Sequence, residues 1–144
     1  MEQTARQQKH KAIPLAVNSV TDTKEIRFYR ASERPYGAFS NLFRRPMTFE
    51  DREYPTAEHA YQAGKARRKE VREWVLSAPT AALMAMAAHG LYSWDVVPNW
   101  AQIKFDRMRQ VLRAKFSEHE DLRQLLLSTS DARLGVMIVG GQAP

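Results

Sequence analysis

The middle of the chain places an acid, an amide and an ammonium group at helical spacing. Thr56 follows Pro55 and is a suitable N-cap, so Glu58 falls in the first turn of a predicted helix. The helix dipole favours a carboxylate there, which by itself explains an acid at a helix start. Gln62 and Lys65 follow at i+4 and i+7 and are predicted to share the face of Glu58. Such a face suits a polar ligand. The alternative is an ordinary solvent-exposed helix face, which commonly carries the same residue types.

A second group of candidates lies on a later helix and in an early turn. Trp100 and Lys104 are four residues apart, so their side chains share one helical face. Trp100 can stack on a base or sugar and Lys104 can contact a phosphate. Core packing and a surface lysine are the alternatives. Ser40 and Asn41 follow Gly37 and offer a hydroxyl and an amide, although both types are common in turns for local reasons.

Several kinds of chemistry are excluded by what the sequence lacks. There is no cysteine, which rules out disulfides, thiolate catalysis and cysteine-based zinc sites. The four histidines are scattered and form no metal-type pair on one helical face. No Gly-rich phosphate loop and no Gly-x-Ser-x-Gly motif occurs. We therefore expect neither a metal nor a cofactor.

Length and charge narrow the class of protein. A chain of 144 residues with 44% hydrophobic residues fits one domain with its own core. The net charge of +6 favours anionic partners, although solubility alone also explains it. No apolar run approaches the roughly 20 residues that span a bilayer, and no secretory signal is evident. These features predict a cytoplasmic protein that does not bind membranes.

The candidates are positioned by a predicted α+β domain in which helices outweigh strands. Residues 1–24 are polar and aperiodic and are predicted to be a flexible arm, with a single domain over 25–144. Strands are expected at 26–29 and 135–139, with a hairpin of 47–49 and 53–54 between them. Leu42 and Phe39 are expected to anchor the turn that follows Gly37. Strands at both ends of the chain indicate a small sheet covered by helices.

Periodicity and capping signals locate the helices. Apolar spacing predicts helices over 71–75, over 81–88 before Gly90, and from Trp100 to Phe116 after Pro98. Ser117 and Glu120 have the spacing of a capping box, so a last helix is expected to start there. That helix would turn Leu122, Leu125 and Leu126 inward.

The order of these motifs resembles the NADAR family, also called YbiA-like, which is named for a proposed link to NAD and ADP-ribose. The matching segments, over roughly residues 26–139, are Phe28-Tyr29-Arg30, Gly37-x-Phe39-Ser40-Asn41, Pro55-Thr56-x-Glu58-His59-x-x-Gln62-x-x-Lys65, Trp100-x-x-Ile103-Lys104-x-x-x-Met108, Ala114-Lys115-Phe116, Leu125-Leu126 and Thr129. The resemblance implies a hydrolase of ribosyl N-glycosidic bonds. Members of the family split phosphorylated ribosylamino intermediates of riboflavin synthesis, and others remove ADP-ribose from guanine bases of DNA.

The resemblance also implies roles for particular residues. Glu58 corresponds to the catalytic glutamate of the family, Trp100 to its pocket tryptophan and Lys104 to the lysine that follows. The polar pocket wall corresponds to Ser40, Asn41, Gln62 and Lys65. Arg30 joins the two lysines as a candidate for holding phosphate. The expected ligand is a phosphorylated ribose or a small molecule of the ADP-ribose type, with ADP-ribosylated DNA as a further partner.

The chain departs from the family pattern near its C-terminal end. A segment with an acidic residue and a Trp-Gly pair usually precedes the last strand, but here Asp131 leads almost directly into Gly135. Asp131 is the candidate to replace that second acid. Two alternatives to an enzyme follow. One is a binding module for ADP-ribose or NAD without turnover, and the other is a nucleic-acid-binding protein, suggested by the charge.

Overall fold

The computed structural model describes residues 24–136 and confirms the predicted α+β class. Helices outweigh strands in this single domain. The elements in chain order are β1 Glu25–Phe28, β2 Met47–Phe49, β3 Arg52–Tyr54, α1 Ala57–Gln62, α2 Lys69–Leu76, α3 Ala81–His89, α4 Trp100–Glu118, α5 Glu120–Ser128 and β4 Arg133–Val136. The predicted arm, except for Lys24, lies outside the described residues. None of the helices within 24–136 is both long and apolar enough to cross a membrane.

The first and last strands form a parallel pair. Glu25 pairs with Arg133 and Phe28 with Val136. Ile26 and Phe28 are buried and alternate with exposed residues, as in a strand with one face on the core. The predicted closing strand begins two residues earlier than expected, at Arg133, and its residues 137–139 lie outside the described part. The first and last described strands thus form a two-stranded sheet of their own, separate from the hairpin.

The predicted hairpin forms from β2 and β3. Glu50 and Asp51 make the two-residue turn with positive φ angles of 49° and 60°. Such angles suit the primed turns that match the twist of the flanking strands. Met47, Phe49 and Tyr54 point from the hairpin into the core.

The central helix α4 organises the core. Val111 of α4 is fully buried and belongs to the same apolar cluster as Ala57, Ala60 and Ala63 of the α1 segment. The hairpin packs against the same side of α4. Helix α1, which carries Glu58, therefore contacts both the hairpin and α4.

Two local predictions are wrong. The capping box at Ser117 does not form, because α4 continues to Glu118 and His119 is the N-cap of α5 without a side-chain cap bond. The Glu118 carboxylate instead accepts a hydrogen bond of 2.8 Å from the backbone N–H of Thr48. Leu42 is exposed and anchors nothing, whereas Phe39 is buried against the rings of Phe28 and Phe116.

Candidate functional site

The start of α1 is fixed by a side-chain cap and by a neighbouring loop. The Thr56 hydroxyl accepts a hydrogen bond of 3.2 Å from the backbone N–H of His59, which confirms the predicted N-cap. The backbone N–H of Glu58 donates across the chain to the carbonyl oxygen of Asn41 at 3.0 Å. The loop that follows Phe39 therefore lies directly against the first turn of the helix.

Gln62 holds the carboxylate of Glu58. Its side-chain N–H donates to Glu58 Oε1 at 2.8 Å, across one helical turn. Gln62 is only 3% exposed, and its own Oε1 has no hydrogen-bond donor among the described residues. A buried amide oxygen without a donor is costly and rare. The side chain of Glu58 is half-buried and forms no ion pair within residues 24–136.

Lys65 lies beyond the helix on which it was expected. Helix α1 ends at Gln62, so the predicted i+7 spacing does not apply. The Lys65 ammonium donates to the carbonyl oxygen of Ala88 at 2.7 Å. Burial lowers the pKa of Lys65, and the positive charge of Lys104 lowers it further. Within the described chain neither lysine has a carboxylate partner, so the two ammonium groups suit an anion such as phosphate.

Tyr61 packs against Trp100 and feels the charge of Glu58. The Tyr61 and Trp100 rings are 5.2 Å apart between centroids, with 48° between their planes. Burial and the negative charge of Glu58 raise the pKa of the Tyr61 hydroxyl. The sequence analysis did not assign Tyr61 to the site, although its i+3 spacing from Glu58 was a usable signal. Trp100 is half-buried at the first residue of α4 and keeps part of its ring accessible.

Ser40 and Asn41, the two polar candidates in the loop, make different kinds of hydrogen bond. The Asn41 amide donates to the sulfur of Met108 on α4 at 3.6 Å. The Ser40 hydroxyl accepts from the backbone N–H of Leu42 at 3.2 Å, which is the local turn role expected of serine. Asn41 is thus tied to both α1 and α4, whereas the Ser40 side chain stabilises its own turn.

Arg30 and Asp131 lie on elements that carry none of the other candidates. Arg30 is exposed after β1, and its guanidinium lies 5.9 Å from the ring centroid of Tyr29. Asp131 is exposed in the turn between α5 and β4. No described hydrogen bond or ion pair joins either residue to Glu58. Their assignment to the site stays a prediction.

Three cavities of the described chain lie elsewhere on the surface. An apolar groove of about 570 Å³ between β1, β4, α4 and α5 includes Asn41 in its wall. The others, of about 320 and 600 Å³, lie beside Trp74 on α2 and beside Pro35, respectively. Glu58 lines none of these three. A side-chain hydrogen bond, rather than a shared cavity, joins Glu58 to Gln62. No cluster of three or more His, Asp or Glu side chains within 24–136 is arranged to hold a metal.

Arg107 is a positioning residue that the sequence analysis missed. Its guanidinium donates to the carbonyl oxygens of Ala60 and Tyr61 at 2.7 and 3.0 Å and pairs with Glu50 at 2.7 Å. These bonds satisfy carbonyls at the C-terminal end of α1. A Cβ atom at Gly64 would lie 2.2 Å from Arg107 Nε, so only glycine leaves the guanidinium room. In the sequence, only the position of Arg107 three residues after Lys104 on the same helix pointed to it.

Comparison with known proteins agrees with the resemblance. The model of the NADAR domain matches residues 27–136. N-glycosidase YbiA of Shigella flexneri serotype 5b is 38% identical over 109 residues, covering 76% of this chain and 67% of the relative. The riboflavin biosynthesis protein VVA0006 of Vibrio vulnificus is 31% identical over 109 residues, covering 76% of this chain and 29% of that protein.

The fold has a solved counterpart. The NMR structure of the Escherichia coli protein YbiA superposes with a TM-score of 0.71 at 34% identity, covering 84% of this chain and 71% of that one. Sequence and structure thus agree over the part of the chain that carries Glu58, Gln62, Lys65, Trp100 and Lys104. The chain therefore belongs to the NADAR domain family.

Proposed function

We propose that this protein hydrolyses the N-glycosidic bond of a phosphorylated ribosyl compound, with Glu58 as the key carboxylate. The proposal is supported by the relatives that are named N-glycosidases. The single observation that carries it for Glu58 is the hydrogen bond from Gln62, which orients a half-buried carboxylate that no described cation neutralises.

The chemistry requires a negative charge next to the anomeric carbon. Cleavage of a ribosyl C–N bond builds positive charge there, as in other glycosidic cleavages through oxocarbenium-like states. The bond from Gln62 occupies Oε1 of Glu58, and no described residue donates to Oε2. Oε2 is then available to stabilise the sugar cation or to accept a proton from the attacking water.

The remaining candidate residues contact different parts of the substrate. Lys65 and Lys104 hold the phosphate, because two nearby cations without carboxylate partners favour a dianion. Trp100, with Tyr61 beside it, supplies an aromatic face for the base. The free Oε1 of Gln62 accepts a hydrogen bond from a ribose hydroxyl or from the departing amine. Ser40 and Asn41 form the neighbouring wall.

The substrate class is proposed as a 5-phosphoribosyl amine of the type met in riboflavin synthesis. The similarity to the riboflavin biosynthesis protein of Vibrio vulnificus supports this choice. ADP-ribose compounds, including ADP-ribosylated DNA, offer the same sugar, anion and base and are the second substrate to assay. In both cases Arg30 would contact the anion from outside the lysine pair. A cytoplasmic location belongs to the same proposal.

The test compares wild type with Glu58→Gln in an assay of ribose phosphate and free base. We expect turnover to fall by about 10²–10⁴-fold, the usual contribution of positioned acid–base groups. Glu53→Gln is the matched control, because Glu53 is exposed on β3 and lies outside the site. Equal rates for wild type and Glu58→Gln would reject the assignment.

A second candidate function is binding of ADP-ribose or NAD without turnover. It is favoured by the missing segment that carries the second acid of the family pattern, because Asp131, the candidate to replace that acid, lies exposed on the turn between α5 and β4. Isothermal titration with ADP-ribose distinguishes the two functions. Tight binding with no product after prolonged incubation would favour the binding module.

A further inference from the structure

Lys115 is a lysine buried inside the domain. It lies on α4, is 2% exposed, and forms no ion pair with a carboxylate among residues 24–136. Its ammonium lies 5.7 and 5.3 Å from the ring centroids of Phe43 and Phe116. Burying an unpaired ammonium is expensive, and an apolar side chain of similar volume would fill the space at lower cost. The position of Lys115 therefore calls for a role beyond packing.

The ammonium group is used to hold a loop. Nζ donates to the carbonyl oxygen of Ala38 at 2.6 Å and to that of Ser40 at 3.1 Å. Charge-assisted bonds of this kind are roughly twice as strong as neutral ones. Burial lowers the pKa of Lys115 to about 8. At neutral pH the group is thus still charged.

The loop in turn holds the first turn of α1. The Ser40 carbonyl belongs to the peptide unit that leads into Asn41, whose own carbonyl accepts the N–H of Glu58 at 3.0 Å. The Asn41 side chain bonds to Met108, which is seven residues before Lys115 and therefore on the same face of α4. One face of α4 thus fixes the loop at two points, through Lys115 and Met108.

We propose that Lys115 is a positioning residue for Glu58: by fixing the Ala38 and Ser40 carbonyls, it sets the position of the Asn41 carbonyl that anchors the first turn of α1. The catalytic consequence rests on the proposed function, whereas the positional one does not. Loss of the ammonium would leave the Ala38 carbonyl without its donor and the Ser40 carbonyl with the backbone N–H of Phe43 alone, so the loop would shift to find other partners. A displacement of about 1 Å at a reacting group can lower a rate by roughly 10²-fold.

The positional test is hydrogen exchange of the Glu58 amide in wild type and Lys115→Met. Methionine has a similar length and volume and donates no hydrogen bond. We expect Glu58 to exchange at least about tenfold faster, beyond the change explained by global stability from urea denaturation. Unchanged exchange after that correction would overturn the proposal. If Lys115→Met does not fold, Lys115→Gln keeps one donor group and carries the same measurement.

A control variant separates positioning from general loosening. Val75→Ala removes buried side-chain volume from the cluster of Val75, Met84 and Ala88, which does not include the loop. We expect its Glu58 exchange to follow global stability alone. An excess equal to that of Lys115→Met would show that any core defect loosens the helix start, and this outcome also overturns the proposal.

The kinetic test uses the full chain and the ribosyl substrate. Because Lys115 does not touch the substrate, Lys115→Met should lower kcat about tenfold or more with little change in KM. Lys115→Gln should recover part of that loss. An active wild type with unchanged kcat in Lys115→Met would refute the catalytic consequence. If the wild type shows no turnover, the proposed function fails, and the exchange measurement alone decides the positional role.

Discussion

Gln62 donates a hydrogen bond of 2.8 Å to the carboxylate of Glu58 while its own amide oxygen stays without a donor. The same side chain thus orients the acid and leaves one buried acceptor unfilled. Structures tolerate an unfilled buried acceptor where a ligand supplies the donor, because the cost to stability is offset on binding. In the proposed mechanism the pair works as one unit, in which one end of the amide orients the carboxylate and the other end accepts a hydrogen bond from the substrate.

Replacing Gln62 should separate activity from stability. Gln62→Met removes both the orienting N–H and the unfilled oxygen, so we expect kcat to fall roughly 10–100-fold. The free energy of unfolding should stay within about 1 kcal/mol of wild type or rise, because an unsatisfied buried group is lost. Steady-state kinetics and urea denaturation measure the two effects. A variant with unchanged kcat would show that Glu58 needs no such support.

The lysine pair should matter for substrates that carry phosphate. Lys104→Met is expected to raise KM about tenfold or more for the phosphorylated ribosyl substrate, because a charge-assisted contact is lost. The dephosphorylated substrate should bind wild type and variant alike. Lys65→Met should act in the same direction and also lose its bond to Ala88. Lys69→Met, at an exposed position on α2, is the control. Equal losses for both substrates would rule out a phosphate contact.

His59 should make the domain sensitive to acid. Burial lowers the pKa of His59 below its ordinary value of 6.5, and Nδ1 lies 2.7 Å from the Thr56 hydroxyl. The hydroxyl accepts the backbone N–H of His59 and can donate to Nδ1 of a neutral ring, a bond that a protonated ring cannot accept.

The sign of the His59 effect follows from linkage. The unfolded chain binds a proton near pH 6.5 before the folded chain does, so stability is present above that pH and is lost as the pH falls below it. Urea denaturation at pH 7.5 and pH 5 should show this loss in wild type and a smaller one in His59→Gln. The same pH dependence in both proteins would contradict the role of His59.

Lys115 should affect stability in the same direction as His59, but in an alkaline pH range. Its pKa falls from 10.5 to about 8 on folding because of burial. Between these values the unfolded chain holds the proton and the folded chain has released it, so this group makes stability rise with pH, by at most roughly 3 kcal/mol. Lys115→Met should lack the rise. Urea denaturation of both proteins at pH 7.5 and pH 10 measures it, and parallel curves would exclude a depressed pKa.

Sequence signals predicted the helix ends that are fixed by capping residues close in the sequence. Thr56 identified the start of α1, and Gly90 marked the end of α3, because caps act within a few residues. The end of α1 was not predictable in this way. It coincides with the carbonyls of Ala60 and Tyr61 that Arg107 binds from a helix far along the chain. The hydrogen bond that the backbone N–H of Thr48 donates to the Glu118 carboxylate is another such long-range contact.

The sequence nominated candidate residues for the site but could not show how most of them are arranged. Spacing along α1 placed Gln62 on the carboxylate, because both residues belong to one helix. Spacing could not show that Tyr61 bridges to Trp100, or that Lys115 reaches the Ala38 carbonyl. Such contacts depend on how α1 and α4 pack, which no local pattern encodes.

The parallel pairing of β1 with β4 has a consequence for how the protein is made. Glu25 is synthesised before all five described helices, whereas its partner Arg133 is synthesised after them. Until then the first strand presents an open edge, the kind of surface on which nascent chains associate wrongly. Helices α1–α5 can form meanwhile from nearby contacts, whereas closing the sheet requires contact across nearly the whole domain. The final strand therefore completes the sheet late in synthesis. Chains that end before Arg133 should aggregate or be degraded.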